Sequence, residues 1–192
     1  MMFDLKTYKD AGARPRVHGN GFIQLDLDDR WRLHIWGDSR IPSQSVPSDI
    51  HDHVFGFDSF LLTGAITNII WGVSEDADGS YEMLVPVIRQ GEDTILSHTD
   101  RFCNAKVHRM DFMSRLTGNT HYRMEPFVFH STVAHEPAAT LIYKDGATQA
   151  QGAFRTPSVL IAKGLQPDNN FDRYAADPNL LWQIIEETLG GL

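Results

Sequence analysis

The chain has 192 residues with 17 Lys plus Arg against 25 Asp plus Glu, a formal charge of −8, which suits one domain over residues 1–192 and argues against a grip on nucleic acid. Cys103 is the one cysteine, which excludes an internal disulfide and a cysteine-rich zinc site. No apolar run reaches membrane-spanning length and the N-terminus lacks the apolar stretch of a signal peptide, so the expected setting is the cytoplasm, with no membrane partner.

Strand-like alternation opens the chain. From Phe22 to Asp28, Ile23, Leu25 and Leu27 fall on one face, with Gln24, Asp26 and Asp28 on the other. After a turn at Asp28-Asp29, residues 30–36 alternate again, Trp31, Leu33 and Ile35 against Arg32, His34 and Trp36, so the two runs predict a hairpin. A Pro- and Ser-rich loop over 37–49 leads into an expected strand carrying His51 and His53. Residues 60–71 predict one or two buried strands, 74–80 a polar turn and 81–89 a strand. Strands are further expected within 106–116, 120–134 and 139–144. The period then changes: Asp177-Pro178 reads as a cap followed by a first-turn proline. Leu181, Ile184, Ile185 and Leu189 recur at helical spacing before Gly190-Gly191. That helix, about 178–189, is expected to pack on the sheet or on a partner subunit in a homodimer. Many short strands with little helix predict an all-β sandwich or barrel over about 20–145.

The chemistry concentrates at His51-Asp-His53. Alternate residues on a strand share a face, so the two imidazoles can converge on one point. Asp58 follows His53 by five residues and Gly64 follows six later. Two convergent imidazoles with a nearby carboxylate are a donor set for a divalent transition metal. Further along, Tyr122 to Val133 places His130 on a β-prone strand, where a buried polar side chain needs a partner. His34 lies on a strand that could line the same interior. Arg123 suits a clamp for a substrate carboxylate, and Tyr122 and Tyr143 are candidate hydrogen-bond donors. His98-Thr99-Asp100 imitates a metal-binding His-x-Asp, but the histidines that follow, His130 and His135, come too soon for that arrangement.

His-x-His, four residues, an acid, five residues and a glycine, then a histidine on a later strand, resembles the two-motif signature of the cupin superfamily. The resemblance covers about 50–143. Aspartate stands where glutamate is usual, and Glu125-Pro126-Phe127 replaces the second motif's Pro-x-Gly. The resemblance implies a double-stranded β-helix (jelly-roll) barrel with one metal at its mouth, held by His51, His53, Asp58 and His130. Asp58 either binds the metal or hydrogen-bonds a ligand, and His121 or His135 is the alternative to His130. Oxygenases similar to cysteine dioxygenase are the nearest comparison. The implied function is a mononuclear non-haem Fe(II) dioxygenase acting on O₂ and a small, carboxylate-bearing molecule, with Arg123 and Tyr143 on the substrate. Mn, Ni and Zn fit the same ligands, so an isomerase, lyase or hydrolase, or a non-catalytic binding barrel, remain alternatives. The pocket is expected to be rimmed by loops 37–49, 74–80 and 90–104.

Overall fold

The computed structural model describes residues 4–42, 49–86, 99–145, 158–166 and 171–190. Among the described residues, eleven strands and two helices follow in chain order: α1 (Leu5–Asp10), β1 (Arg16–His18), β2 (Phe22–Asp26), β3 (Trp31–Trp36), β4 (Phe57–Thr63), β5 (Ala65–Glu75), β6 (Tyr81–Pro86), β7 (Thr99–Thr117), β8 (Thr120–Met124), β9 (His130–Ala134), β10 (Ala138–Lys144), β11 (Val159–Ala162) and α2 (Pro178–Leu189). One sheet has six strands in the order β1-β2-β3-β10-β4-β8, and the other five in the order β11-β6-β7-β5-β9.

The expected His-x-His strand is not a regular one. His51 instead forms single antiparallel bridges to His130 of β9 and to Val159 of β11. Its amide donates to the His130 carbonyl at 3.0 Å and its carbonyl accepts from the His130 amide at 2.9 Å. Since β9 and β11 are the two edges of the five-stranded sheet, His51 closes that sheet's pairing circuit on itself. From β3 the chain alternates between sheets through His51, β4 and β5, stays in the five-stranded sheet through β6 and β7, and alternates again through β8, β9 and β10. The paired orders β3-β10-β4-β8 and His51-β9-β5-β7 are those of a jelly roll, so the cupin-like barrel expectation holds in the strand order itself.

Local sequence explains the corners. The run over 60–71 splits into β4 and β5 at Gly64, whose φ is +79° and where a Cβ would lie 2.4 Å from the Pro137 carbonyl oxygen; only glycine fits. Gly118-Asn119 turns β7 into β8, with Asn119 at φ 68°. The segments β1, β11 and α1 carry no periodicity long enough to have been expected. Residues 87–89 of the run expected as a strand lie outside the described residues.

Helix α2 starts as the sequence predicts. Asp177 caps it, its carboxylate accepting from the Asn179 amide at 2.9 Å, and Pro178 occupies the first turn. It lies on the outer face of the six-stranded sheet, where Leu181, Ile184 and Ile185 are fully buried against Val17, Ile23, Leu25, Leu33, Ile35 and Ala139. Each such side chain contributes roughly 1.5–3 kcal/mol, which pins the helix to the sheet. Among the described residues no helix is long and apolar enough to cross a membrane.

Candidate metal centre

His51, His53 and His130 come together: one ring nitrogen from each lies within 4.8 Å of the others, a group that can hold a metal ion. Their ring centroids are 4.9 Å (His51–His53), 4.6 Å (His51–His130) and 5.2 Å (His53–His130) apart. The pairing of His51 with β9 makes the first and third neighbours, and His53 follows two residues later. Phe127, a non-glycine residue at φ 61°, donates its amide to the His53 carbonyl at 2.8 Å. A left-handed aromatic residue stores roughly 1–3 kcal/mol of strain, so this contact belongs to a constrained loop that fixes the backbone of His53.

Two of the rings are oriented from behind. His51 Nδ1 lies 2.7 Å from the Asp49 carbonyl oxygen, and His130 Nδ1 lies 2.9 Å from that of Val128. A carbonyl can only accept, so each Nδ1 carries the proton and each Nε2 presents a lone pair; the Asn20 side-chain amide, 3.1 Å from His51 Nδ1, is the longer contact there and turns its oxygen to that proton. Such carbonyl-tethered imidazoles are the usual form of a metal-ligating histidine. Burial disfavours the charged form in all three. His130 is lowered to about 3 by desolvation and by the neighbouring His51. His53 falls well below the ordinary value for the same first cause, and His51 is lowered by burial, partly offset by the Asp49 carbonyl. Three neutral imidazoles fit a first-row divalent ion without any need to displace a proton.

The cluster opens onto a cavity whose empty space, mouth included, is about 540 Å³. The six-stranded sheet contributes His18, Phe22, Gln24, Arg32, His34, Trp36, Phe57, Tyr122 and Ile142, and Thr132 lines it from β9. The pocket is therefore walled by strands: among the described residues of 37–49, 74–80 and 90–104, none lines it. Residues 43–48 and 90–98, including His98, lie outside the described residues.

Asp58, Arg123 and Tyr143 are not brought to the cluster, and one cause covers all three. Tyr143 is paired with Trp31 and with Asp58, and Asp58 with Arg123, so these residues form a single rung facing away from the cavity. The next rung, Arg32, Ile142, Ser59 and Tyr122, faces inward. Each of the three lies one residue from a cavity-lining position, because successive side chains alternate faces. On the outside Asp58 accepts from Arg123 at 3.2 Å and meets His121 at 2.9 Å, while Arg123 also holds Glu125 and Asp145. Tyr143 accepts from Arg30 at 2.9 Å and packs on Trp31. His135 meets Thr67 at 2.8 Å on the exposed surface, so neither alternative to His130 joins the cluster.

His34 does line the cavity, as its strand suggested. His18 from β1, and Gln24 and Arg32 from the polar face of the hairpin, join it unexpectedly. The signal was present: Phe22 and Trp36 share that face, and two large aromatics do not belong on a solvated strand.

No protein-family model and no curated protein matches the sequence. Among solved structures the chain is similar to hydroquinone 1,2-dioxygenase from Sphingomonas sp. TTNP3 with 4-hydroxybenzoate bound, at 15% identity and a TM-score of 0.35, covering 77% of this chain and 81% of that one. It is also similar to hydroquinone 1,2-dioxygenase PnpCD in complex with Cd²⁺ and 4-hydroxybenzonitrile, at 12% identity and a TM-score of 0.31. That match covers 64% of this chain and 63% of the other. Both TM-scores are under 0.5, and the jelly roll rests on the strand order above.

Proposed function

We propose that the protein is a mononuclear non-haem Fe(II) oxygenase acting on a small molecule inside the jelly roll. The observation that carries this reading is the trio of desolvated imidazoles, each with one ring nitrogen converging on the others, at one side of a strand-walled cavity. Iron(II) bound there would supply open coordination positions for O₂ and for a substrate atom. The residues do the rest. His51 and His130 are held by backbone carbonyls so that their ligand atoms do not swing. Phe55, Phe57 and Tyr122 beside His53 exclude water. Tyr122 stays protonated, because burial raises its hydroxyl above the ordinary range against the opposing pull of Ser59 and Asn68. A three-histidine set equally suits zinc, which favours a metal-dependent lyase or hydrolase as the second reading.

Metal analysis of protein purified without added metal, followed by O₂ uptake on addition of Fe(II) and candidate organic acids, separates the two. Iron with oxygen consumption supports the oxygenase. Zinc with oxygen-independent turnover supports the second reading. Single His51→Ala, His53→Ala and His130→Ala proteins should each lose most of the metal; wild-type metal content in all three would move the site elsewhere.

A further inference from the structure

The lining of the cavity is uneven in charge. Although the chain carries a net −8, Arg32 is the one Lys, Arg, Asp or Glu among the described lining residues. The nearby carboxylate is Asp26, which does not line the cavity and is shared: Arg16 and Arg32 both pair with it, Arg32 Nε at 2.9 Å, and Gln24 donates to it at 2.9 Å. Two guanidiniums are thereby brought to this corner of the cavity. Beside it His34 presents a buried Nε2 with no hydrogen-bond partner, and an unmet buried polar atom is a standing penalty unless a ligand meets it. His34 and Gln24 are cross-strand partners, as are Arg32 and Asp26, so Gln24, Arg32 and His34 reach the cavity from adjacent rungs of one hairpin.

The rest of that wall is aromatic. Phe22 and Trp36 lie 4.1 Å apart between centroids, and Phe57 and Tyr122 extend the surface along β4 and β8. Phe57 in turn lies 5.5 Å from His53 and 5.9 Å from His130 between centroids, so the aromatic wall runs up to the candidate metal centre. A space bounded by flat rings suits a planar ring better than an extended aliphatic chain.

We propose that the cavity takes a small aromatic carboxylate, its ring against Phe22, Trp36 and Phe57 and its carboxylate held at the β2–β3 hairpin by Arg32 and His34, with Gln24 beside them. The inference deepens the reading above and rests on it for the reaction, since the ring would lie between the anion-binding corner and the metal ligands. The recognition itself needs no metal. A guanidinium and an N–H donor are the natural partners of a carboxylate. A ligand ammonium group, by contrast, would meet Arg32 with no acid in the described lining, which argues against free amino acids.

Calorimetric titration of the full-length protein, metal-free and zinc-loaded, with benzoate, benzyl alcohol, acetate and phenylalanine tests this. Benzoate should bind the metal-free protein. Benzyl alcohol (ring without charge), acetate (charge without ring) and phenylalanine (ring with an added ammonium) should each bind at least roughly tenfold more weakly. Arg32→Met and His34→Leu should each weaken benzoate by roughly tenfold, and Arg32→Lys should recover part of the loss. Absence of benzoate binding, equal binding of benzyl alcohol, or unchanged affinity in Arg32→Met would overturn the proposal. Should Arg32→Met fail to fold, the four ligands on the wild-type protein still decide. Metal content is read separately, so a protein that binds benzoate but takes up no metal when it is offered would sink the oxygenase and leave this inference standing.

Discussion

The β2–β3 hairpin has two buried faces that differ in almost every respect. Ile23, Leu25, Leu33 and Ile35 point outward and are sealed under α2 with essentially no exposure. Phe22, Gln24, Arg32, His34 and Trp36 point inward and line the cavity. The outer face is made of aliphatic side chains that interdigitate, and it holds the helix to the barrel. The inner face carries a guanidinium, an amide and an unpartnered imidazole nitrogen, groups whose burial opposes folding. A sheet that needed only stability would not be built that way. The contrast separates the residues that hold the fold from those held ready for a ligand, and substitutions at neighbouring positions should divide accordingly.

The largest effect belongs to the outer face. Leu33 is fully buried, and Leu33→Ala should lose about 2–5 kcal/mol by removing packed methyl groups and leaving a cavity under α2. Metal stoichiometry should be unchanged in the folded fraction. Urea denaturation checks the first expectation and metal analysis the second; a stable variant that lost metal would erase the division.

The histidines around the cavity, His34 on the inner face and His130 on β9, should show themselves in acid. His34 and His130 are each lowered to about 3, chiefly by burial, against an ordinary value of 6.5. Above pH 6.5 both are neutral whether the chain is folded or not, so they add no pH dependence. Below it the unfolded chain takes up protons that the native metal-free protein refuses, and stability falls as pH falls. Between pH 6.5 and 5.5 the loss should be roughly 1 kcal/mol for each, about 2 kcal/mol for the pair. Denaturation curves at pH 7.5, 6.5 and 5.5 measure it, and a flat profile would mean that these rings are more solvated than the structure shows.

The two faces also explain what was legible in the sequence. The outer face, the hairpin, α2 and its Asp177 cap follow from alternation and helical period, because apolar side chains declare their face. His51 and His53 were legible from spacing even though no regular strand carries them: a single bridge at His51 does the positioning. What alternation cannot reveal is which face of a doubly buried sheet meets the cavity. Alternation sets Gln24 and Arg32 on the face opposite the aliphatic one without showing that this face is interior; of that face, only His34 reads as lining the interior. Asp58, Arg123 and Tyr143 read as interior when their rung points out. On a strand the error is always one residue, so Arg123 stands beside Tyr122 and Tyr143 beside Ile142.

A smaller effect tests how firmly the outer face depends on its helix. Asp177→Ala removes the acceptor for the Asn179 amide and should lower stability by about 1 kcal/mol. Thermal unfolding checks it. Benzoate affinity should not move, since α2 and the cavity lie on opposite sides of the sheet.

The smallest stability effect should come from the residue next to Leu33. His34→Leu replaces a buried imidazole, packed against Phe22 at 4.7 Å between centroids, with an aliphatic side chain. Its Nε2 makes no hydrogen bond, so the substitution breaks none there and relieves a desolvated polar atom. Lost ring contacts oppose that gain, and the two should offset to within about 1 kcal/mol at pH 7.5. The acid sensitivity should fall too, by roughly 1 kcal/mol between pH 6.5 and 5.5, because one of the refusing groups is gone. Leu33→Ala and His34→Leu therefore form a matched pair: one damages the fold and spares the site, the other spares the fold and weakens the carboxylate. A loss above about 2 kcal/mol in His34→Leu would show that His34 supports the barrel, and the inner face would then be structural where it is taken here to await a ligand.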